Sequence, residues 1–206
     1  MTSRFMLALA LAIGWTAVGL MAMDSTATLT DAERKTAVTQ LNASRDTLTA
    51  AVAGLSEAQL TFRPGEGRWT IAEVLEHLAV TEMGVPQLVQ QQLMKTPARE
   101  TVDDRRDASI RKVMVDRSRK AQSPEPLRPT GRFPNGQIAL QAFTGARGKT
   151  IEYTQATADD LRHHVFAHPA LGPLDGYQWI LFLAAHTERH TAQIEEVKAS
   201  AGFPAK

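Results

Sequence analysis

The sequence contains no cysteine. Disulfides, thiolate metal ligands, a cysteine nucleophile and a lipid anchor on an N-terminal cysteine are therefore excluded. Any metal site has to be built from histidine, carboxylate and backbone groups. An excess of one charge is missing too: 23 Lys and Arg stand against 22 Asp and Glu over 206 residues. With no global field to draw a polyanion, a nucleic-acid partner is not expected. Internal repeats and strand-like alternation are also absent, so the class is read as all-α. What remains is an ordinary apolar share of 43%, in a chain long enough for one domain with a sizeable core.

Charge is locally absent at the N-terminus. After Thr2-Ser3-Arg4, the run Phe5 to Met23 carries no charged residue. A short positive start followed by an apolar stretch is the pattern of a secretory signal. Residues 1–23 are accordingly read as a signal peptide. Ala17-Val18-Gly19 and Ser25-Thr26-Ala27 both satisfy the small-x-small cleavage rule. An uncleaved N-terminal anchor is the alternative, because the run reaches the lower limit for spanning a bilayer. The expectation is an exported protein, periplasmic or extracellular, touching a membrane only if that segment is retained. Its folded domain is assigned to residues 30–203.

Four helical segments emerge from periodicity and caps. The first opens on Thr30-Asp31-Ala32-Glu33, a capping box, and carries Val38, Leu41, Leu48, Val52 and Leu55 in phase. Ser56 to Arg68 reads as a loop with Pro64, Gly65 and Gly67. The second helix starts on Trp69-Thr70-Ile71-Ala72-Glu73-Val74, which combines a Thr70/Glu73 capping box with a Trp69-on-Val74 staple. Pro86 inside it predicts a kink near Glu82 to Pro86. Residues 96–136 read as irregular, with one short helix around Ile110, Val113 and Met114. Arg99 to Lys120 holds eight basic and five acidic residues, an interspersion that reads as a solvated face. The proline-rich stretch Ser123 to Gly131 then makes a connection long enough for helices two and three to run parallel. The third helix covers about Gln137 to Thr157 and is weakened by Gly145 and Gly148. Asp160 to Asp175 reads as a loop containing His163, His164 and His168. The fourth helix, about Gly176 to Ser200, stops at Gly202 and Pro204. The fold expected is a four-helix bundle.

The chemistry lies in where three histidines fall on these helices. On helix four the apolar stripe runs Ile180, Leu183, His186, His190, Ile194, Val197. Steps of three and four put both rings on the core face. On helix two His77 interrupts the stripe of Val74, Leu78 and Val85 in the same way. Imidazole nitrogens are costly to bury unmatched, and one divalent ion would satisfy all three rings. The H-x-x-x-H spacing of His186 and His190 is that of zinc-binding helices. Three protein ligands leave a coordination position open, the arrangement of a catalytic site. Zn, Ni and Fe all suit three imidazoles. Core histidines held by hydrogen bonds alone remain the metal-free alternative.

Two segments carry a family resemblance. Trp69-Thr70-Ile71-Ala72-Glu73-Val74-Leu75-Glu76-His77-Leu78 resembles the signature of the DinB-like (DinB/YfiT) superfamily of small metalloproteins. The segment Phe182 to Ile194, with His186-Thr187-Glu188-Arg189-His190 followed by Gln193-Ile194, resembles the same family's H-x-x-R-H-x-x-Q-I helix. The resemblance covers about residues 32 to 200 and implies an up-down-down-up bundle. It also implies a divalent metal held by His77, His186 and His190. For activity it implies either thiol-dependent transfer or isomerisation, or a metal-dependent hydrolase. Export argues against the thiol chemistry, because cytosolic thiol cofactors are scarce outside the cell membrane.

Around the three ligands, Gln193 is one turn from His190 and is a candidate to orient it. Glu73 is one turn from His77, but its place in the capping box favours a structural role. Glu82 and Glu188 point away from the histidines on a helical wheel, so no general base stands out. His163, His164 and His168 match no metal position and read as loop residues. The leading reading is a metal-dependent hydrolase or thiol-transferase type of enzyme with an unidentified small-molecule substrate. A non-catalytic module for metal sequestration or sensing is the alternative, and a homodimer is compatible with either.

Overall fold

The computed structural model describes residues 28–118 and 122–205. The reading of residues 1–23 as a signal or anchor lies outside the described residues. Four long helices dominate: α1 (Asp31–Val52), α3 (Ile71–Gln91), α5 (Gly136–Ala156) and α6 (Gly176–Lys198). Two short helices, α2 (Glu57–Thr61) and α4 (Asp107–Val115), lie in the connections, and a hairpin of β1 (Val165–His168) and β2 (Gly172–Asp175) precedes α6. No described helix is long and apolar enough to cross a membrane.

Local chemistry sets the helix starts. Thr30, Thr70 and Asp175 each accept from the backbone N–H three residues on, and Glu33, Glu73 and Gln178 reach back to complete three capping boxes. Both starts predicted as capping boxes are therefore present, and α3 stays helical through Pro86 to Gln91. Gly145 and Gly148 do not interrupt α5.

Contacts between the long helices define their directions. Lys198 at the end of α6 donates to the Ala51 carbonyl near the end of α1, so these two run parallel. Gly136 packs on Ala72, start against start, so α3 and α5 are also parallel. Arg34 near the start of α1 donates to Thr154 near the end of α5, and His77 early in α3 meets His186 late in α6. Both of those pairs are antiparallel. The order is up-down-down-up, made possible by the long connection between α3 and α5.

Three features of the connections correct the sequence reading. Within residues 56–68, Ser56 and Gln59 form a capping box that starts α2, a signal present in Ser56-Glu57-Ala58-Gln59 but followed by only five helical residues. Residues 160–175 are not wholly a loop: Val165 pairs with Asp175 and His168 with Gly172 across the antiparallel hairpin. Each strand has four residues, too few to show alternation, and Gly172-Pro173 reads as a breaker. Gly172 takes φ +73°, a conformation that favours glycine at the end of the three-residue turn. Third, the charged connection is mostly exposed, as expected, but it is not unattached. Arg111 pairs with Glu188 at 2.8 Å and Arg117 with Glu196 at 2.5 Å, tying α4 and the residues after it to α6.

The core is divided. One apolar cluster includes Leu41, Val85, Val89, Ile180 and Leu183, and the other includes Leu48, Leu75, Leu78, Phe143 and Ile194. A polar layer lies between them. Its centre is Arg147, fully buried, whose guanidinium pairs with Glu82 at 2.8 Å. The same group donates to the Leu41 carbonyl, the Ser44 hydroxyl, the Leu183 carbonyl and the Thr187 hydroxyl. One side chain of α5 thus bonds to the other three long helices. Gly176, the first residue of α6, is favoured by close approach, since a Cβ there would lie 2.7 Å from Leu161 Cδ2 and 3.1 Å from the Leu161 carbonyl oxygen.

Candidate metal centre

His77 on α3 and His186 and His190 on α6 come together, as their helical phase predicts. Ring centroids are 5.0 Å apart for His77 and His186, 4.6 Å for His77 and His190, and 4.5 Å for His186 and His190. One nitrogen from each ring lies within 4.8 Å of the others, a grouping able to hold a metal ion. His77 and His186 are buried, and His190 is half-buried.

The outer edges of two rings are tied off. His77 Nδ1 is 2.8 Å from the Leu127 carbonyl, and His190 Nδ1 is 2.8 Å from Gln193 Oε1. A carbonyl only accepts, so it holds the proton on Nδ1 and leaves the lone pair on Nε2. His77 Nε2 in turn lies 3.1 Å from His186 Nε2. Two nitrogens each about 2.1 Å from one ion, at angles between square and tetrahedral, stand roughly 3.0–3.4 Å apart. Ring contacts, tautomer and spacing therefore all fit a divalent ion.

Electrostatics act in the same direction. Burial pushes His186 and His190 well below the ordinary imidazole value, and neighbouring histidines add to the shift. Burial also lowers His77, against the opposing hydrogen bond to Leu127. Neutral rings keep their lone pairs for a cation near pH 7.

The other sequence candidates divide. Gln193 is at His190, as its one-turn spacing suggested. Glu73 accepts from the Thr70 N–H at 2.8 Å and from Arg63 at 2.6 Å, so its carboxylate serves the helix start and not His77. Glu82 is committed to Arg147, and Glu188 to Arg111. His163 is bound to Asp160 and His164 to the Thr96 carbonyl, both outside the cluster. His168 stands nearer than a plain loop residue would. Its ring packs 4.5 Å from Phe182, whose ring is 5.1 Å from His186. The backbone amides of Ala170 and Leu171 both donate to its Nδ1, and burial lowers its pKa to about 4.

Sequence reasoning missed the wall of the site. Trp69 lies 5.1 Å from the His77 ring and stacks at 6.4 Å on His190, besides belonging to the apolar cluster around Val74. Its position just before the helix start signalled a staple, and nothing in the spacing pointed to the histidines. The Leu127 carbonyl was invisible for another reason: any residue could supply it.

Fold and site together define a small helical bundle with a three-histidine cluster on two antiparallel helices. The DinB superfamily profile matches residues 40–194, and the chain belongs to that superfamily. It is 27% identical over 145 residues to the uncharacterized protein YuaE of Bacillus subtilis (strain 168), covering 70% of this chain and 86% of YuaE. Among solved structures it resembles YfiT from Bacillus subtilis, described as "a probable metal-dependent hydrolase with an unusual four-helix bundle topology". The TM-score is 0.54 at 17% identity, over 83% of this chain and 89% of YfiT. It also resembles TT2238, a four-helix bundle protein, with a TM-score of 0.51 at 21% identity, over 79% of this chain and 98% of the other. At these identities the two structures bear on the fold alone.

Proposed function

We propose that this chain is an exported metal-dependent enzyme of the hydrolase type, with His77, His186 and His190 as the ligands of one divalent ion. The observation that carries the reading is the 3.1 Å approach of His77 Nε2 to His186 Nε2, with the Nδ1 edges of His77 and His190 already committed. Among the described residues the cluster contains three histidines and no carboxylate. Three nitrogen ligands would leave the ion a coordination position for water or substrate, which suits catalysis better than closed storage. The description of YfiT supports the same class.

The chemistry that a divalent ion supplies in such a site is Lewis acidity, which makes a nucleophile available near neutral pH. The chain's own residues prepare the site. Leu127 and Gln193 fix the tautomers of His77 and His190. Trp69 and Phe182 flank the rings and limit water around them. No carboxylate of α3 or α6 named above is spare to act as a base, so the reaction relies on the ion for its nucleophile. Hydrolysis is favoured over thiol transfer because an exported protein is separated from cytosolic thiols. Zn, Ni and Fe all remain compatible with the ligand set.

Metal analysis of protein purified without a histidine tag tests the proposal. One ion per chain is expected in the wild type, with loss in His186→Ala and retention in His164→Ala. Equal retention in both variants would remove the assignment, and a wild type that binds no divalent ion would remove the function.

A further inference from the structure

Glu76 precedes His77 on α3 and is 5% exposed. Its carboxylate accepts from the backbone N–H groups of Thr130 at 2.7 Å, Gly131 at 3.0 Å and Arg132 at 3.2 Å, and from the Arg132 guanidinium at 3.1 Å. These donors come from the connection between α3 and α5, more than fifty residues away in sequence. Arg132 also donates to the Arg128 carbonyl at 2.7 Å and to the Pro126 carbonyl at 3.0 Å. The two carbonyls flank Leu127, whose own carbonyl meets His77 Nδ1 at 2.8 Å.

The other bonds of this segment are local, Leu127 N–H to the Pro124 carbonyl at 3.0 Å, Arg128 N–H to the Glu125 carbonyl at 3.1 Å and the Arg128 guanidinium to the Ser123 carbonyl at 3.2 Å, and none of them ties it to α3. Residues 124–132 contain only a single 3-10 turn, Glu125–Leu127, and most are exposed. A segment with so few packing contacts samples several conformations unless it is anchored. The anchor is a carboxylate holding a turn through backbone N–H groups, one of the stronger kinds of hydrogen bond because its acceptor is charged. Adjacent residues on a helix point about 100° apart. One turn of α3 can therefore carry both the imidazole and the anchor for the group that orients it.

We infer that Glu76 is a positioning residue for His77: by clamping residues 130–132 it holds the Leu127 carbonyl on His77 Nδ1 and keeps the Nε2 lone pair directed at the three-histidine centre. The inference rests on reading His77 as a metal ligand, but its effect on the ring can be measured without metal.

Glu76→Gln is the decisive variant. A carboxamide offers one oxygen and turns an NH2 toward backbone donors, so it cannot satisfy the same four bonds. Long-range 1H–15N correlations on metal-free, 15N-labelled protein should show His77 protonated on Nδ1 in the wild type and a mixture of tautomers in the variant. Zinc titration against a chromophoric chelator should show a loss of roughly ten- to hundredfold in affinity, the usual cost of removing an outer-shell support. A merely structural role would lower the unfolding midpoint and leave tautomer and affinity of the folded protein unchanged, and that result would overturn the inference. If Glu76→Gln does not fold, Arg132→Met removes one donor and the grip on residues 126 and 128. It should shift the same two readouts less, and no shift in either would again overturn the inference. Should the wild type bind none of zinc, nickel or iron(II) while the tautomer responds to Glu76→Gln, the proposed function falls and the positioning role stands.

Discussion

Arg147 and His186 are both buried in one bundle, on α5 and α6, yet their surroundings treat their polar atoms in opposite ways. The Arg147 guanidinium is surrounded by acceptors: Glu82 takes two of its bonds, and Leu41, Ser44, Leu183 and Thr187 take the rest. The histidine cluster is satisfied on the Nδ1 edges of His77 and His190, while nitrogens of all three rings face one another. A charge buried among matched partners locks a packing arrangement. Converging imidazoles with committed outer edges instead keep binding capacity in reserve. Burial of polar groups here serves cohesion in the central layer and, under the proposed function, ligand affinity at the site.

The largest effect expected is at the closed layer. Arg147→Met leaves Glu82 buried without its partner and should cost about 3–5 kcal/mol in urea unfolding, whereas adding Glu82→Leu should recover much of that loss. A double variant no better than the single one would break the account of the layer as a matched pair. At the open site the effect should appear through binding: a divalent ion at about one hundred times its Kd should add about 2.7 kcal/mol, removed by a chelator. His186→Ala should abolish that gain, while Arg147→Met should retain a measurable part of it in whatever fraction remains folded. Thr70→Ala removes the hydroxyl that accepts from the Glu73 N–H at the start of α3 and should cost about 1 kcal/mol in urea unfolding.

The smallest and most specific effect concerns pH. His168 is lowered to about 4 by burial, and the three cluster histidines are lowered by the same cause. Below about pH 6.5 these four histidines bind protons in the unfolded chain and not in the folded one, so their contribution to stability is lost as pH falls from there toward 4, while Asp175, raised to about 7 by burial, contributes in the opposite direction over the same range. His168→Asn should flatten part of that slope, measured as unfolding midpoint against pH in metal-free protein. An unchanged slope would mean that His168 carries none of the acid sensitivity.

How much of this could be read in advance follows from the range of each interaction. The starts of α1 and α3 were legible because a capping box spans four residues. His77, His186 and His190 were legible because helical phase alone places them on the core face. Gln193 was legible through its spacing from His190. The hairpin was not, because its two four-residue strands are recognisable only when paired. Arg147 escaped notice because it lies between two glycines in a weakly patterned helix, and its partners Glu82 and Leu41 are 65 and 106 residues away. Glu76 looked like one more helix-surface acid until residues 130–132 folded onto it.

The sequence by itself therefore determined the helices, their caps and the identity of the three histidines, because hydrogen bonds to near neighbours and a period of 3.6 residues are local physics. Only the tertiary structure decided which groups hold those histidines in place. Leu127 contributes a carbonyl that any residue carries, Trp69 a ring whose neighbours are set by packing, and Glu76 a carboxylate whose donors come from a distant turn. Such contacts depend on how the chain closes on itself, and local sequence pattern carries no record of that.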